Sequence, residues 1–187
     1  YGQDLPDYAK LADYEPPVVT RIHAGDGALL AEYATEKRLF MPTQAMPPDL
    51  IAAFLSAEDK SFYQHFGVDL KALSRAILTN ISNIGSGRRP IGASTITQQV
   101  AKNFLLTNEV SVERKIKEAI LAIRIERALE KDDILALYLN DIYLGLSSYG
   151  VAAAALNYFD KPLDQLQLHE IASVSYTHLT LPTSYPV

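Results

Sequence analysis

The chain has 187 residues, of which 48% are apolar and 21% are charged, and its formal net charge is −5. These near-average proportions exclude a wholly disordered chain. Because cysteine is absent, disulfide bonds, thiolate metal sites and cysteine nucleophiles are excluded as well. No run approaches the ~18 apolar residues that a membrane span requires. The length fits one domain with an appendage, or one domain of a longer protein.

The N-terminal quarter is predicted to combine a linker with a small β structure. Residues 1–17 are polar, contain tyrosine and proline, and are expected to form a linker. Two β-capable runs flank the Gly-rich connection His23–Gly27. This pattern predicts a hairpin within an N-terminal β appendage over residues 18–46.

Most of the remaining sequence has the apolar periodicity of helices, so the predicted fold class is mainly α. The predicted helices are Asp49–Ala57, Asp69–Ile81, Thr95–Leu105, Val112–Glu130, Asp132–Leu139 and Val151–Tyr158. The segment between Ser82 and Gly92 contains three glycines, a proline and two arginines. Such a composition predicts a mobile loop.

Basic residues are concentrated in the middle of the chain. Between Ser86 and Lys131, nine basic residues stand against five acidic ones, a balance of +4 that leaves −9 for the rest. A basic region in an acidic protein indicates an anionic ligand, although solvated helix faces give the same count.

The first candidate for chemistry is Glu58, at the end of an apolar helix and just before an aromatic stretch. A carboxylate beside aromatic residues can be desolvated, which raises its pKa and suits it to act as a base near neutral pH. The alternative is a solvated glutamate at a helix end beside Lys60. The spacing by itself leaves both interpretations open.

Two further segments carry polar side chains at helical spacing. Gly92–Gln99 places five hydrogen-bonding side chains at a predicted helix N-terminus, which indicates either an anion or sugar cradle or a well-provided N-cap. In the next helix, Arg114 and Lys115 share one face with Glu118, either as a ligand-binding set or as an ordinary intrahelical ion pair. The four histidines lack metal-ligand spacing, so no metal site is predicted.

In chain order these segments match a known pattern. Glu58–Gly67, Gly92–Gln99, Arg114–Glu118 and Lys131–Gly145 resemble the four signatures of the family 51 glycosyltransferases, and Tyr149–Lys161 resembles the segment that comes after the fourth signature in that family. These are the peptidoglycan transglycosylase domains of class A penicillin-binding proteins and their monofunctional relatives. The resemblance implies a lysozyme-like helical domain that carries the small N-terminal β-hairpin.

The resemblance also implies an activity: polymerisation of lipid II into β-1,4-linked glycan strands by an inverting mechanism, with release of polyprenyl pyrophosphate. Glu58 would be the general base, and Glu118 a second catalytic carboxylate that orients cations and sugar hydroxyls. The leaving pyrophosphate would be stabilised by cations. The residues expected to bind the substrate are Ser94, Thr95, Gln99, Lys102, Asn103, Arg114 and Lys115.

The same resemblance implies the partners. They are lipid II, the nascent glycan strand and the surface of the inner membrane, with cell-wall synthesis proteins as further candidates and no nucleic acid. A flap over about Val68–Ile91 would face lipid through an apolar stripe, with Arg88 and Arg89 near anionic head groups. The stripe comprises Leu70, Leu73, Ile77, Leu78 and Ile81. No cofactor is required by the sequence, and an assisting Mg²⁺ or Mn²⁺ ion is compatible with it.

The expected domain organisation places the linker, residues 1–17, after a membrane anchor missing from this chain, which would hold the protein at the periplasmic face of the inner membrane. A C-terminally truncated glycosyltransferase domain would cover residues 47–172. No serine has a lysine three residues later, so no transpeptidase activity is predicted. Residues 173–187 are predicted to be a non-native tail, because Ser173–Thr183 departs from the family pattern and equals the translation of a sequence that resembles a transposon-type sequencing adapter.

The sequence leaves two competing functions open. A lytic transglycosylase or lysozyme shares the helical fold and a catalytic glutamate but needs no cations around a pyrophosphate. A non-catalytic lipid- or glycan-binding scaffold would not need both Glu58 and Glu118.

Overall fold

The computed structural model describes residues 5–6, 11, 20–26, 29–33, 37–85, 87–88, 92–106 and 111–180. Within these ranges the chain forms seven α-helices and four short strands, which confirms the mainly α fold class. The helices are α1 (Pro48–Glu58), α2 (Leu70–Ser82), α3 (Ile96–Leu105), α4 (Val112–Ala128), α5 (Lys131–Asp141), α6 (Val151–Phe159) and α7 (Leu168–Thr180). The six predicted helices all occur, each with ends within two residues of the prediction.

The strands confirm the predicted hairpin and add a pair that was not predicted. Strand β1 (Thr20–His23) pairs antiparallel with β2 (Leu29–Tyr33), and the register shifts after Ile22. Strand β3 (Lys37–Arg38) pairs in parallel with β4 (Ser148–Tyr149). This second pair joins segments more than a hundred residues apart in sequence, a distance that local patterns do not encode.

The chain forms two compact units, the first made of residues 1–12 and 58–134 and the second of residues 13–57 and 135–187. In the first unit, α3 and α4 pack against each other. Each helix begins at a side-chain cap: Thr95 accepts from the Gln98 amide, and Ser111 accepts from the Arg114 amide. The buried apolar residues of the first unit are Leu11, Phe62, Ala76, Ile96, Val100, Ala101, Leu121, Ala122, Ile125 and Ile134.

A close backbone contact fixes the segment between α1 and α2 against α4. Gly67 has φ +84°, and a Cβ atom built there would lie 2.7 Å from the carbonyl carbon of Ala122. Since real Cβ atoms do not approach that closely, the packing of this segment on α4 requires glycine. Asp69 then caps α2 by accepting a hydrogen bond from the Ala72 amide at 2.8 Å.

The second unit has its own buried core. Phe54 of α1 and Tyr138 of α5 meet edge to face, with ring centroids 6.4 Å apart. Asn140 holds the backbone of Met41 from both sides: its Oδ1 accepts from the Met41 amide, and its Nδ2 donates to the Met41 carbonyl, each at 2.8 Å. Near the start of α7, Lys161 forms an ion pair with Glu170 at 2.7 Å.

Both ends of the chain carry predictions that fall largely outside the described ranges. Of the predicted linker, 1–17, residues 5–6 and 11 are described. Helix α7 continues to Thr180, into the segment predicted to be a non-native tail, and residues 181–187 are not described. The proposed boundary at residue 172 therefore stays a prediction. Over the described part of the chain, no helix combines the length and apolar character of a membrane span.

Candidate active site

Glu58 is the last residue of α1 and is half-buried. The Nε2 atom of Gln99, on α3, donates a hydrogen bond to its Oε2 atom at 2.9 Å. Two predicted site residues that lie 41 positions apart in sequence are therefore neighbours in the first unit. A half-buried carboxylate held by a neutral donor can still accept a proton, as a general base must.

The next residue, Asp59, is buried and connects this carboxylate to the start of α3. Its Oδ2 atom accepts from the backbone amide of Ile96 at 3.1 Å and lies 2.9 Å from Nε2 of His65. A carboxylate at this position complements the positive end of the helix dipole. The predicted site does not include Asp59 or His65. The start of α3 does predict an anionic partner, but the sequence does not show that it comes from 37 residues upstream.

Thr95 is 2% exposed and forms a capping box at the start of α3. Its Oγ1 atom accepts from the Gln98 amide at 3.2 Å and donates to the carbonyl of Gly67 at 2.6 Å. In return, Oε1 of Gln98 accepts from the Thr95 amide at 3.0 Å. Of the two interpretations of Gly92–Gln99, the structure therefore shows the N-cap. The amides of Ile96 and Gln98 bond to groups of the protein itself, and the substrate-binding role of Thr95 stays a prediction.

A buried carboxylate lies among cations on α4. Glu118 is 1% exposed and forms ion pairs with Arg114 and with Lys115, the latter at 2.6 Å between Nζ and Oε2. The same Nζ atom donates to Oγ of Ser94 at 3.0 Å. Four predicted site residues from two sequence motifs are thus in direct contact.

Lys102 adds a further charge to this group. Burial and the charge of Arg114 lower the pKa of Lys102 below its usual value. Burial, Arg114 and Lys102 together do the same for Lys115. Burial is the first cause of both shifts, and the positive charges nearby add to it. Glu118 pairs with two of the three cations, Arg114 and Lys115. We call Lys102, Arg114, Lys115 and Glu118 the cation cluster.

Asn103, the remaining predicted substrate residue, is exposed on α3 beside Lys102. The prediction missed a further buried network in the same unit. The Oε1 atom of Glu126 accepts from Oγ1 of Thr97 at 2.6 Å and from Nζ of Lys131 at 2.7 Å. The ammonium of Lys131 lies 4.4 Å from the ring centroid of Phe62. This network joins residues of three motifs and is structural, because each polar group bonds to another protein group.

Among the described residues, no group of three or more histidine, aspartate or glutamate side chains could hold a metal ion. The carboxylates at the site have other partners: Glu58 bonds to Gln99, and Glu118 bonds to Arg114 and Lys115. An assisting divalent cation stays a prediction.

Comparison with known proteins supplies the family. The model of the Transglycosylase family matches residues 26–186. The chain belongs to this family. The resemblance seen in the four motifs is thereby confirmed, as is the enzyme class at the family level, a peptidoglycan glycosyltransferase.

Curated relatives of this Transglycosylase domain are similar over nearly its whole length. Penicillin-binding protein 1A of Rickettsia felis is 57% identical over 175 residues, which are 94% of this chain and 22% of the relative. Penicillin-binding protein 1A of Escherichia coli K12 is 47% identical over 171 residues, 91% of this chain and 20% of the relative. The protein of the same name from Aquifex aeolicus is 45% identical over 170 residues, 91% of this chain and 23% of the relative. The chain thus spans about a fifth of the length of these relatives.

Proposed function

We propose that this Transglycosylase domain polymerises lipid II into β-1,4-linked glycan strands by an inverting transfer that releases polyprenyl pyrophosphate. The observation that supports this proposal most directly is the cation cluster. Arg114 and Lys115 pair with the carboxylate of Glu118. Burial first, and then the charges of neighbouring cations, lower the pKa values of Lys102 and Lys115. An arrangement with excess positive charge favours an anion such as a pyrophosphate.

In the proposed reaction, Glu58 is the general base. Its carboxylate takes the proton from the 4-hydroxyl of the terminal N-acetylglucosamine of the acceptor. The hydroxyl oxygen attacks C1 of the donor sugar from the side opposite the pyrophosphate, and the bond from C1 to the pyrophosphate oxygen breaks. The α configuration at C1 therefore becomes β. The hydrogen bond from Gln99 holds the carboxylate in place for proton transfer.

The cation cluster stabilises the charge that develops on the leaving group. Lys102, Arg114 and Lys115 supply positive charge that is already in place before the bond breaks. Glu118 acts through them, because its buried carboxylate fixes Arg114 and Lys115 by direct ion pairs. Ser94, Thr95 and Asn103 are proposed to contact the donor's sugar and phosphates. An assisting Mg²⁺ or Mn²⁺ ion is compatible with this proposal, since such an ion is commonly bound by one or two carboxylates together with substrate phosphates.

The proposed location is the periplasmic face of the inner membrane, where lipid II and the nascent strand would be bound. Helix α2 supports contact with lipid, because its apolar stripe is exposed on a helix that also carries polar side chains. The exposed fractions are 72% for Leu70, 41% for Leu73, 50% for Ile77, 67% for Leu78 and 59% for Ile81. Arg88 is also exposed, whereas Arg89 and Ile91 lie outside the described residues.

The same cluster argues against the alternatives. A lytic transglycosylase or lysozyme cleaves a glycan without a pyrophosphate leaving group and would gain nothing from three repelling cations. A binding scaffold would gain from the cations but would not need Glu58 beside Gln99.

One assay with labelled lipid II separates these functions. The chain is expected to form polymer, and Glu58→Gln is expected to lower the rate at least about a hundredfold, since general bases contribute that much or more. Glu130→Gln, which neutralises an exposed glutamate, is the matched control and should retain the rate. Release of fragments from preformed glycan would indicate lysis. Lipid II binding without turnover, equal in both variants, would indicate a scaffold.

A further inference from the structure

Glu58 and Gln99, the proposed base and its hydrogen-bond donor, lie on two separate elements. Glu58 is the last residue of α1, and Gln99 lies near the start of α3. A general base works only when its carboxylate is held close to the proton that it takes, so the spacing of these two elements matters for the proposed transfer. Contacts that fix both elements can therefore act on the reaction without touching the substrate.

Glu126 of α4 is bonded to one of these elements and to the start of α5. Its side chain is 2% exposed. The Oε1 atom accepts from Oγ1 of Thr97 at 2.6 Å and from Nζ of Lys131 at 2.7 Å. Thr97 is fully buried and lies two residues before Gln99 in α3. One buried carboxylate thus joins the first turn of α3 to the first residue of α5.

Lys131 continues this connection to the segment that follows Glu58. Its side chain is 21% exposed, and its ammonium lies 4.4 Å from the ring centroid of Phe62. A cation–π contact is stronger when it is shielded from water, as this one is. Beside it, the hydroxyl of Tyr63 donates to Oδ1 of Asp132 at 2.9 Å. The two contacts are adjacent in both segments, so the segment after Glu58 is held to the start of α5 at two places.

These contacts form a closed ring of residues within the first unit: Glu58, Phe62, Lys131, Glu126, Thr97 and Gln99. Four of its links are the side-chain contacts given above, and the backbone supplies the other two. Glu126 and Thr97 are buried too deeply to contact a substrate. An effect of the ring on the transfer must therefore come through the position of Glu58.

We propose that Lys131 is a positioning residue: by joining the carboxylate of Glu126 to the ring of Phe62, it holds Glu58 and Gln99 at the spacing that proton transfer needs. This inference rests on the proposed role of Glu58 as the general base. An ammonium suits this place because it donates to a carboxylate and faces an aromatic ring at once, and arginine shares both properties. A neutral side chain would leave the buried carboxylate of Glu126 without its opposite charge.

Steady-state polymerisation of lipid II tests the proposal. Lys131→Met keeps most of the side chain's length and removes its charge. The expected result is a decrease in kcat of about tenfold or more, since misplacement of a catalytic group by about 1 Å can cost about a hundredfold. KM for lipid II should stay within about twofold, because the base acts in the transition state and not in binding. Lys131→Arg should restore kcat to within about threefold.

Lys161→Met is the matched control. Lys161 forms an ion pair with Glu170 at 2.7 Å, and the side chains are 35% and 9% exposed. This variant therefore also takes a lysine away from a largely buried glutamate, but it does so in the second unit and leaves the ring intact. Its Tm is expected to fall, whereas its kcat should equal that of the unsubstituted chain. Thermal unfolding of every variant accompanies the kinetics.

Phe62→Leu is an independent second variant, because it removes the aromatic ring and keeps the ion pair of Lys131 with Glu126. It should also lower kcat at unchanged KM, and its kcat decides the proposal if Lys131→Met does not fold. When both single variants fold, the double variant tests the contact itself. Its loss of kcat should be smaller than the product of the two single losses, since residues that act through one contact are not additive.

An unchanged kcat in Lys131→Met or in Phe62→Leu would overturn the proposal, as would strictly additive effects in the double variant. A raised KM at unchanged kcat would make Lys131 a substrate-binding residue and would also overturn it. An equal loss of kcat in Lys161→Met would do the same, because general loss of stability would then explain both results. The proposed function fails separately, if the unsubstituted chain forms no polymer or if Glu58→Gln keeps the rate.

Discussion

Replacing the buried carboxylate of Glu118 by the amide of glutamine is expected to destabilise the protein by about 3 kcal/mol, the lower end for breaking a buried ion pair. Glu118 is 1% exposed and Arg114 is 13% exposed, so water screens this pair little. Lys115 is 50% exposed, and its ion pair contributes less. The glutamine amide keeps one acceptor oxygen, but its NH₂ group is a donor and faces one of the two cations. One of the hydrogen bonds that Glu118 accepts from Arg114 and Lys115 is therefore lost.

Thermal unfolding measures the effect. For a chain of this size, 1 kcal/mol corresponds to about 2–4 °C, so the expected decrease in Tm is about 6–12 °C. Glu113→Gln is the control: it makes the same change on the same helix and breaks an ion pair with Lys117, but the Glu113 side chain is 55% exposed. The Tm of Glu113→Gln should equal that of the unsubstituted protein within experimental error. Equal decreases in the two variants would refute the argument, because burial would then not determine the cost.

Two further predictions concern the backbone and the cluster. Gly67→Ala should lower Tm much more than Gly85→Ala does. Both glycines have nearly the same positive φ, but only at Gly67 would a Cβ atom overlap another part of the chain, the backbone of Ala122. A Cβ atom at Gly85 meets nothing within 4 Å. Lys102→Arg should move the alkaline loss of polymerisation to higher pH, since arginine stays charged where the lowered pKa of Lys102 makes the lysine lose its proton.

Similar Tm values for the Gly67→Ala and Gly85→Ala variants would contradict the first of these predictions. They would show that strain at positive φ, and not the contact with α4, governs both sites.

The direction of the pKa shift of Lys102 also determines how the stability of the folded state changes with pH. As pH rises through the lowered pKa, the folded state loses a proton before the unfolded state does, so stability should increase. A pH–activity profile unchanged by Lys102→Arg would remove Lys102 from the proposed role.

The features that could be predicted are those with local causes. Helices α3 and α4 arise from apolar spacing and from their caps, Thr95 and Ser111, so their starts were predicted within one residue. The hairpin arises from two β-capable runs around a Gly-rich turn. The ion pairs of Glu118 with Arg114 and Lys115 were visible in sequence because helical geometry brings neighbours at three and four positions together.

The features that could not be predicted depend on tertiary contacts. The bond from Gln99 to Glu58 and the bond from the Ile96 amide to Asp59 join α3 to a segment about 40 residues upstream. Periodicity does not specify which turn of one helix meets which end of another. For the same reason, the sequence indicates Asp59 only as a neighbour of Glu58, although its buried carboxylate fixes the start of α3.

The cation cluster has a consequence for the evolution of this domain. Repulsion between its positive charges lowers the stability of the folded state. If the cluster has the role proposed for it, selection for catalysis retains charges that selection for stability disfavours. A bound anion relieves the repulsion and stabilises the folded state by mass action. On the proposed function, stabilising substitutions found by screening the domain without ligand should therefore fall at Lys102 and reduce polymerisation.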